Sequence, residues 1–151
     1  MNKEDWRMVL FLLLSHHMPE KLHRTIHLNI GGKNIYLCAR CTGDYSGTLT
    51  ILVAWFLGLK LPTWLYLPLV AILPLATVID WLTQSCKLRE SRNTLRVTTG
   101  FPLGIAKGLI LLMLVQGWFN LFLQALVIVG LYVLVVSLVA WKTKFVYSYF
   151  D

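Results

Sequence analysis

Four long apolar stretches, separated by short polar segments, occupy most of the chain after residue 43. They cover about residues 44–60, 63–82, 97–117 and 119–141. A helix that crosses the hydrocarbon core of a bilayer needs about 20 mostly apolar residues. The stretch at 44–60 is short for this purpose, and the one at 119–141 is the most apolar. The pattern therefore predicts an all-α membrane protein, a bundle of four transmembrane helices.

The first 41 residues follow a different pattern. The apolar run at 8–14 is too short to span a bilayer, which favours a helix that lies against the bundle or the membrane interface. The residues from Asn29 to Asn34 contain a Gly-Gly pair between two apolar runs, and this turn signal predicts a β-hairpin. We therefore expect two parts: residues 1–41, an amphipathic helix with a hairpin and a Cys/His knuckle, and residues 42–151, the helical bundle.

Composition and charge add an orientation to this picture. Hydrophobic residues make up 57% of the chain, above the ~45–50% of soluble domains. Twelve of the fourteen Lys and Arg residues fall on one side of a four-span arrangement, Lys60 alone falls on the other, and Lys107 lies within the third span. The positive-inside tendency then predicts a multi-pass protein of the cell membrane with both termini in the cytoplasm. Because topology accounts for the net charge of +7, we expect membrane lipids as partners and no nucleic acid.

Cys38 and Cys41 form a C-x-x-C pair just before the first apolar stretch. Thiolate and imidazole are the usual ligands of zinc, and His16 and His17 precede the predicted hairpin. A disulfide is disfavoured in the reducing cytoplasm. Three interpretations remain: a site for zinc or another transition metal that uses these cysteines and histidines, a redox or free thiol pair, and a structural knuckle without metal.

Asp80 is an ionisable residue at the end of the second apolar stretch. A charge at such a position is costly, so its presence favours a functional role. Gln84 follows one helical turn later and shares its face. Asp80 and Gln84 are therefore the candidate catalytic residues. The alternative is that Asp80 only pairs with Arg89 or Arg96.

Further polar side chains fall at the same predicted membrane surface as Asp80. The guanidinium group of arginine is a planar fork of donors that fits phosphate or carboxylate. We therefore predict a pocket for an anionic lipid headgroup or another phosphate-bearing molecule. Alternatively, the same residues clamp the polar loop to the amino-terminal region. The candidate substrate-binding residues are Arg40, Asp44, Arg89, Ser91, Asn93 and Arg96.

Two sets of glycines predict close helix packing. Gly100, Gly104 and Gly108 recur at every fourth position, a spacing that lets helices approach closely. This face is also the candidate surface for a homo-oligomer. Gly43 and Gly47 are expected to let the first helix start close against its neighbours.

Three segments resemble motifs of a family of small prokaryotic integral membrane proteins, a domain of unknown function. They are the stretch that begins at His16, the sequence LCARCTGDYSG at 37–47, and the residues from Asp80 to Gly100 with the pattern D-x-x-T-Q-(x)4-R-x-S-x-N-x-x-R-x-x-T-G. The resemblance covers about residues 15–110. The family usually has cysteine where this chain has His16, a replacement that keeps a metal ligand. The resemblance implies functional sites in these segments and implies no reaction.

Three classes of function remain. The first is a membrane enzyme or lipid-handling protein in which Asp80 acts as a base or a second metal ligand. The second is a non-catalytic module for binding or assembly, in which zinc holds the amino-terminal part against the helical bundle. The third, a small transporter, is weaker because few polar residues lie within the predicted spans. Whether the protein is an enzyme stays open.

Overall fold

The computed structural model describes residue 15 and residues 19–30, 32–86, 88–90 and 92–143. The amphipathic helix predicted for residues 8–14 lies outside the described residues. So do three candidate site residues, His16, His17 and Ser91.

From residue 19 onward the chain forms a 3₁₀ helix, Pro19–Arg24, then two strands, and then α-helices. The strands are β1, Thr25–Ile30, and β2, Lys33–Cys38. A short 3₁₀ turn, Thr63–Leu65, precedes the second helix. The helices are α1, Ala39–Phe56; α2, Tyr66–Ile72; α3, Leu75–Ser85; α4, Asn93–Val115; and α5, Phe119–Lys142.

The two strands form the hairpin that the Gly-Gly pair predicts. They pair antiparallel, with Thr25 opposite Cys38 and Ile30 opposite Lys33, which leaves a two-residue connection. Gly32 in this connection has φ of +74°, a conformation that tight hairpin turns require and that glycine adopts without steric cost. The hairpin prediction is confirmed. Because the two strands pair antiparallel, the residues just before β1 lie beside the start of α1.

Within the described part of the chain, three helical segments are long and apolar enough to cross a membrane: Thr63–Ser85, which contains α2 and α3, Asn93–Val115 and Phe119–Lys142. They confirm a membrane protein that is mostly helical, and they correspond to the second, third and fourth predicted spans. The first predicted span corresponds to α1, which is not one of these three segments. The count of four spans is therefore not confirmed, because the first half of α1 is rich in charged, hydroxyl and glycine residues.

The segment Thr63–Ser85 is interrupted between α2 and α3. Leu73 and Pro74 separate the two helices, because proline has no N–H for the helical ladder and its ring crowds the preceding turn. Tyr132 of α5 donates a hydrogen bond from its hydroxyl to the carbonyl oxygen of Ala71, beside the break. A neighbouring helix thus satisfies backbone at the proline, as membrane proteins require.

Helices α1 and α4 run parallel and touch along their glycines. A Cβ atom added at Gly43 would lie 2.2 Å from the Val97 carbonyl oxygen, and one added at Gly104 would lie 1.9 Å from the Asp44 carbonyl oxygen. The close approach predicted from both glycine sets is confirmed, and it occurs within one chain. A second copy of the protein would have to displace α1 to use the Gly100, Gly104 and Gly108 face.

The apolar core lies in the half of the bundle that is distant from the hairpin. It joins Tyr66 and Val70 of α2 to Leu109 and Met113 in the second half of α4, with Ala125 of α5. Most of the outer surface of α5 is exposed apolar side chain, as expected of a lipid-facing helix. The polar residues are left for the other half of the bundle, which we call the hairpin end.

Candidate functional site

The candidate site lies at the hairpin end, where α3 ends and α1 and α4 begin. The fold brings Arg40 from the first turn of α1 to Asp80 in α3, although forty residues separate them. Arg96, in the first turn of α4, belongs to the same cluster through Gln84. The charged residues that the sequence places in three segments therefore meet in one place.

Asp80 is the centre of this cluster. It is 1% exposed, and its two carboxylate oxygens accept hydrogen bonds from three side chains. Arg40 binds Oδ2 through Nη2, and Gln84 Nε2 binds the same oxygen at 2.9 Å. Arg89 Nη2 lies 3.0 Å from Oδ1. Buried charges require such partners. The pair between Asp80 and Arg89 is one that the sequence analysis gave as the alternative to a catalytic role of Asp80.

Gln84 connects Asp80 to Arg96. Its amide nitrogen donates to Asp80, and its amide oxygen accepts a hydrogen bond of 2.8 Å from Arg96 Nη2. The one-turn spacing on α3 makes this bridge possible. Arg96 is 6% exposed. The expected direct pair between Asp80 and Arg96 is thus replaced by a pair mediated by the amide.

Asn93 is directed to the hairpin. Its amide nitrogen donates to the carbonyl oxygens of His23 at 2.9 Å and of Thr25 at 3.0 Å. These two bonds use both N–H donors of the amide, and they hold the start of α4 against the start of β1. Asn93 therefore joins the polar segment to the amino-terminal region, as does the ion pair between Arg40 and Asp80.

Asp44, another candidate for the anion pocket, lies one turn further along α1 and has a different partner. Its Oδ2 pairs with Nζ of Lys107, whose ammonium group also lies 4.8 Å from the centre of the Tyr45 ring. The other oxygen of Asp44 is buried and has no hydrogen-bond partner within the described part of the chain. The structure thus separates Asp44 from the group around Asp80.

Arg24 is a member of the site that the sequence analysis did not select. It closes the 3₁₀ helix before β1, and it lies close enough to Arg96 for their charges to repel, as does Arg40. The Nε atoms of these three arginines are buried and have no hydrogen-bond partner among the described residues. Arg24 directly precedes β1, and Thr25, the next residue, pairs with Cys38 at the start of α1. A prediction of this hairpin register would have indicated that Arg24 lies beside the site.

The cluster carries more positive than negative charge. We define the arginine cluster as Arg24, Arg40, Arg89 and Arg96 together with Asp80. Arg40 and Arg89 pair with the Asp80 carboxylate, and Arg96 is joined to it through Gln84. Among the described residues this hydrogen-bonded set has two more positive than negative charges, and the charge of Arg24 acts on Arg96 in addition. Arg89 is 40% exposed and Arg40 is 24% exposed in their side chains, so the cluster is open to solvent on one side. An anion that enters there meets guanidinium donors directly.

The cysteine pair lies beside the arginine cluster. Cys38 is buried and caps the start of α1, and Cys41 follows in its first turn; no disulfide joins the two. A hydrogen bond with Cys38, together with burial, raises the pKa of the Cys41 thiol above its ordinary value. The described residues contain no group of three metal-ligating side chains, and the predicted ligands His16 and His17 are outside them.

Membrane-spanning helices with a compact charged site at one end define the class of protein: an integral membrane protein of mostly helical structure. Residues 16–110 match a family described as predicted membrane protein (DUF2085). The chain belongs to this family. The matched region contains the hairpin, α1 to α3 and most of α4, and hence the whole arginine cluster.

Two archaeal proteins are similar to this chain. An uncharacterised protein of Methanothermobacter thermautotrophicus is 36% identical over 95 residues, which are 63% of this chain and 81% of that protein. An uncharacterised protein of Methanocaldococcus jannaschii is 36% identical over 99 residues, which are 62% of this chain and 58% of that protein. The chain thus spans less than two thirds of the second relative. No solved structure matches the chain.

Proposed function

We propose that the protein binds the anionic, phosphate-bearing headgroup of a membrane lipid in the arginine cluster. The observation that carries the proposal is the excess of guanidinium groups over carboxylates around the buried Asp80. A structural salt bridge needs one arginine for each carboxylate. Here the additional arginines repel one another and gain a stable arrangement when an anion joins them.

The hydrogen-bonding capacity of the arginines supports this proposal. Arg40 and Arg96 each direct one Nη2 atom to a protein acceptor, and their buried Nε atoms have no acceptor among the described residues. Phosphate oxygens accept bidentate hydrogen bonds from guanidinium groups, and these are among the stronger hydrogen bonds in proteins. A phosphate-bearing ligand would supply acceptors for these Nε atoms, which have none in the described part of the chain.

The depth of the cluster supports a lipid as the source of the phosphate. The segments Thr63–Ser85 and Asn93–Val115 have 23 residues each, and at 1.5 Å per residue each is about 34 Å long. The hydrocarbon core is about 30 Å thick. Asp80 and Arg96 lie near the ends of these segments, and hence near the level of lipid headgroups. The distribution of Lys and Arg supports the cytoplasmic leaflet.

In this proposal Asp80 is a positioning residue. Its two oxygens are engaged by Arg40, Arg89 and Gln84, so it orients the guanidinium groups toward the ligand. The catalytic role predicted for Asp80 and Gln84 stays a prediction, because a base requires an oxygen that can reach a substrate proton.

The proposal includes α1 as a fourth membrane span. It is supported by the parallel contact of α1 with α4, which begins at the hairpin end, and by the connection from α1 to the start of Thr63–Ser85. Eighteen residues are about 27 Å long. To test whether α1 spans the membrane, Lys60 and Thr94 are each replaced by cysteine in separate variants. Each cysteine is then labelled with a membrane-impermeant maleimide in oriented vesicles. Modification of both from the same side would contradict it.

Binding to phosphatidic acid, measured by native mass spectrometry of the detergent-purified protein, tests the ligand. We expect phosphatidic acid to bind about tenfold or more tightly than phosphatidylcholine, and Arg96→Gln to remove the preference, since a charged hydrogen bond contributes about 1.5–3 kcal/mol. The matched control is Lys60→Gln, which removes one exposed positive charge at the opposite end of the bundle. Equal binding of the two lipids by the wild-type protein would refute the proposal.

A zinc site is a second candidate function of the hairpin end. It is supported by the proximity of the Cys38 and Cys41 thiols, which interact by a hydrogen bond, since thiolates supply ligands for tetrahedral zinc. His16 and His17 would complete the set of four. Elemental analysis of the purified protein beside Cys41→Ser and His16→Ala tests it. A wild-type protein that purifies without metal and keeps its stability in chelator would exclude a stapling zinc.

A further inference from the structure

One carboxylate in the arginine cluster is divided between two arginines. Asp80 accepts a hydrogen bond from Arg40 at Oδ2 and from Arg89 at Oδ1. Arg89 is the more exposed of the two, and a second hydrogen bond of 3.1 Å, from its Nε to the Thr83 hydroxyl, holds it at the carboxylate. A single negative charge therefore serves two guanidinium groups, and it cannot compensate both.

Arg96 has no carboxylate partner among the described residues. It is 6% exposed, and its Nη2 donates to the neutral amide oxygen of Gln84. A guanidinium group keeps its proton in proteins, and a buried charge is costly unless a counter-charge approaches it. We define the hydrogen-bonded set as Arg40, Arg89, Arg96 and Asp80, with Gln84 as the neutral bridge. Three arginines and one aspartate leave two more positive than negative charges in this set.

Two hydrogen-bond donors of the same set are free to receive a ligand. The Nε atoms of Arg40 and Arg96 are buried and have no acceptor within the described part of the chain. Neither atom is engaged by Asp80 or Gln84, so a ligand can use both without breaking a contact of the protein. Because these donors are buried, the oxygens that reach them must enter the cluster. Terminal phosphoryl oxygens can do so more easily than an ester oxygen, which carries a substituent.

We propose that the arginine cluster selects a membrane lipid whose headgroup ends in a phosphomonoester, in preference to phosphodiester lipids. This inference rests on the proposed function and names the class of its ligand. A phosphomonoester carries a charge of about −1.5 to −2 at neutral pH and has three strong acceptor oxygens. That charge balances the excess of the hydrogen-bonded set. A phosphodiester carries about −1 and has fewer terminal oxygens, so it leaves one guanidinium group uncompensated.

The position of the cluster supports a lipid as the source of the phosphoryl group. Asp80 and Arg96 lie near the ends of the membrane-spanning segments Thr63–Ser85 and Asn93–Val115. A hydrocarbon chain can therefore extend along the apolar surface of the bundle while the phosphate stays at the level of the headgroups. Burial of each methylene group contributes to binding. An alkyl phosphate is accordingly expected to bind more tightly than methyl phosphate, which has the same phosphoryl group without the chain.

The experiment uses octyl ligands that differ only in the headgroup. The purified full-length protein in detergent is titrated with octyl phosphate, octyl methyl phosphate and octyl sulfate, and binding is measured by calorimetry against empty micelles. The methyl ester is a phosphodiester, and the sulfate keeps the terminal oxygens of the phosphomonoester with one negative charge. We expect octyl phosphate to bind about tenfold or more tightly than either, since it adds at least one charge-assisted hydrogen bond. Methyl phosphate is the fourth ligand.

Charge variants assign the preference to the hydrogen-bonded set. Gln84→Glu places a carboxylate opposite Arg96 in a side chain of nearly the same shape, and it lowers the excess from two charges to one. The ratio of octyl phosphate to octyl methyl phosphate affinity should fall toward one. Gln116→Glu makes the same change beyond the other end of α4 and should leave the ratio unchanged. Should Gln84→Glu fail to fold, Arg89→Gln lowers the excess by one at a half-exposed side chain, and the ratio should again fall. Size-exclusion chromatography and thermal unfolding establish that each variant is folded.

The outcomes separate this inference from the proposed function. Equal affinity for octyl phosphate and octyl methyl phosphate overturns the inference and leaves anionic headgroup binding in place. Octyl sulfate that binds as tightly as octyl phosphate also overturns it, because one negative charge is then sufficient. A ratio that neither charge variant lowers overturns the assignment to the hydrogen-bonded set. Absence of binding to all three octyl anions overturns the inference and the proposed function together. Methyl phosphate that binds as tightly as octyl phosphate supports the monoester chemistry and overturns the lipid as its source.

Discussion

Replacement of Gly104 by alanine tests whether α1 and α4 are joined by close contact of their backbones. An added Cβ would lie 1.9 Å from the carbonyl oxygen of Asp44 and 2.7 Å from its carbonyl carbon. Both are backbone atoms, so rotation of a side chain cannot relieve the contact. Because Cβ contacts below 3.0 Å essentially do not occur, the two helices must separate locally by about 1 Å.

The free energy of unfolding should fall as a result. Overpacking of a fitted interface costs about 1–3 kcal/mol. Separation of the helices also lengthens the hydrogen bond of 3.0 Å between the Thr48 hydroxyl and the Gly104 carbonyl oxygen, which contributes about 1 kcal/mol. Alanine returns about 0.5–1 kcal/mol, because it is a better helix former than glycine. We expect a net loss of about 1–3 kcal/mol.

The matched control is Gly130→Ala in α5. An added Cβ there has no atom within 4 Å, so only the gain in helix propensity remains, and stability should be unchanged or slightly raised. Thermal unfolding in detergent, followed by tryptophan fluorescence, measures both variants beside the wild type. If Gly104→Ala is as stable as Gly130→Ala, the close approach of α1 and α4 is not a feature of the folded protein.

Three further results are expected. Asp80→Asn should lower the free energy of unfolding by roughly 2–3 kcal/mol, less than for a fully buried pair because its arginine partners are partly exposed; unchanged denaturant unfolding would contradict this. Tyr132→Phe should cost about 1–3 kcal/mol by removing the donor to the Ala71 carbonyl, and an unfolding temperature equal to wild type would exclude that bond. Burial and the Cys38 hydrogen bond raise the pKa of Cys41, so it is protonated at neutral pH, and its alkylation, followed by mass spectrometry, should keep rising with pH above the ordinary thiol range. A rate that levels off below that range would contradict the raised pKa.

The elements that could be predicted from the sequence are those set by local chemistry. The hairpin follows from a Gly-Gly pair between two apolar runs, because only a few turn types join adjacent strands. Three spans follow from length and hydropathy. The limits of α1 were harder to predict. Its first half is polar, and it packs against α4, so its position depends on a neighbouring helix that local sequence does not identify.

Partners in the candidate site could be predicted only where helical spacing decides them. Gln84 shares the face of Asp80 because one turn separates them, and their hydrogen bond follows. The partner of Asp44 could not be predicted in this way, because it depends on the parallel alignment that sets Gly104 beside it and brings Lys107 within reach. Arg24 joined the cluster for a similar reason, through the register of the hairpin.

The spacing of Arg40 and Asp44 connects the two charged sites of the protein. They lie one turn apart on α1, and each pairs with a residue of a different helix, Asp80 of α3 and Lys107 of α4. A shift of α1 along α4 would therefore disturb both ion pairs together. The glycine contacts fix that position. The geometry of the arginines at the hairpin end thus depends on the backbone fit between α1 and α4. A ligand that bound there only in the folded state would stabilise the same fit, because such binding raises the free energy of unfolding.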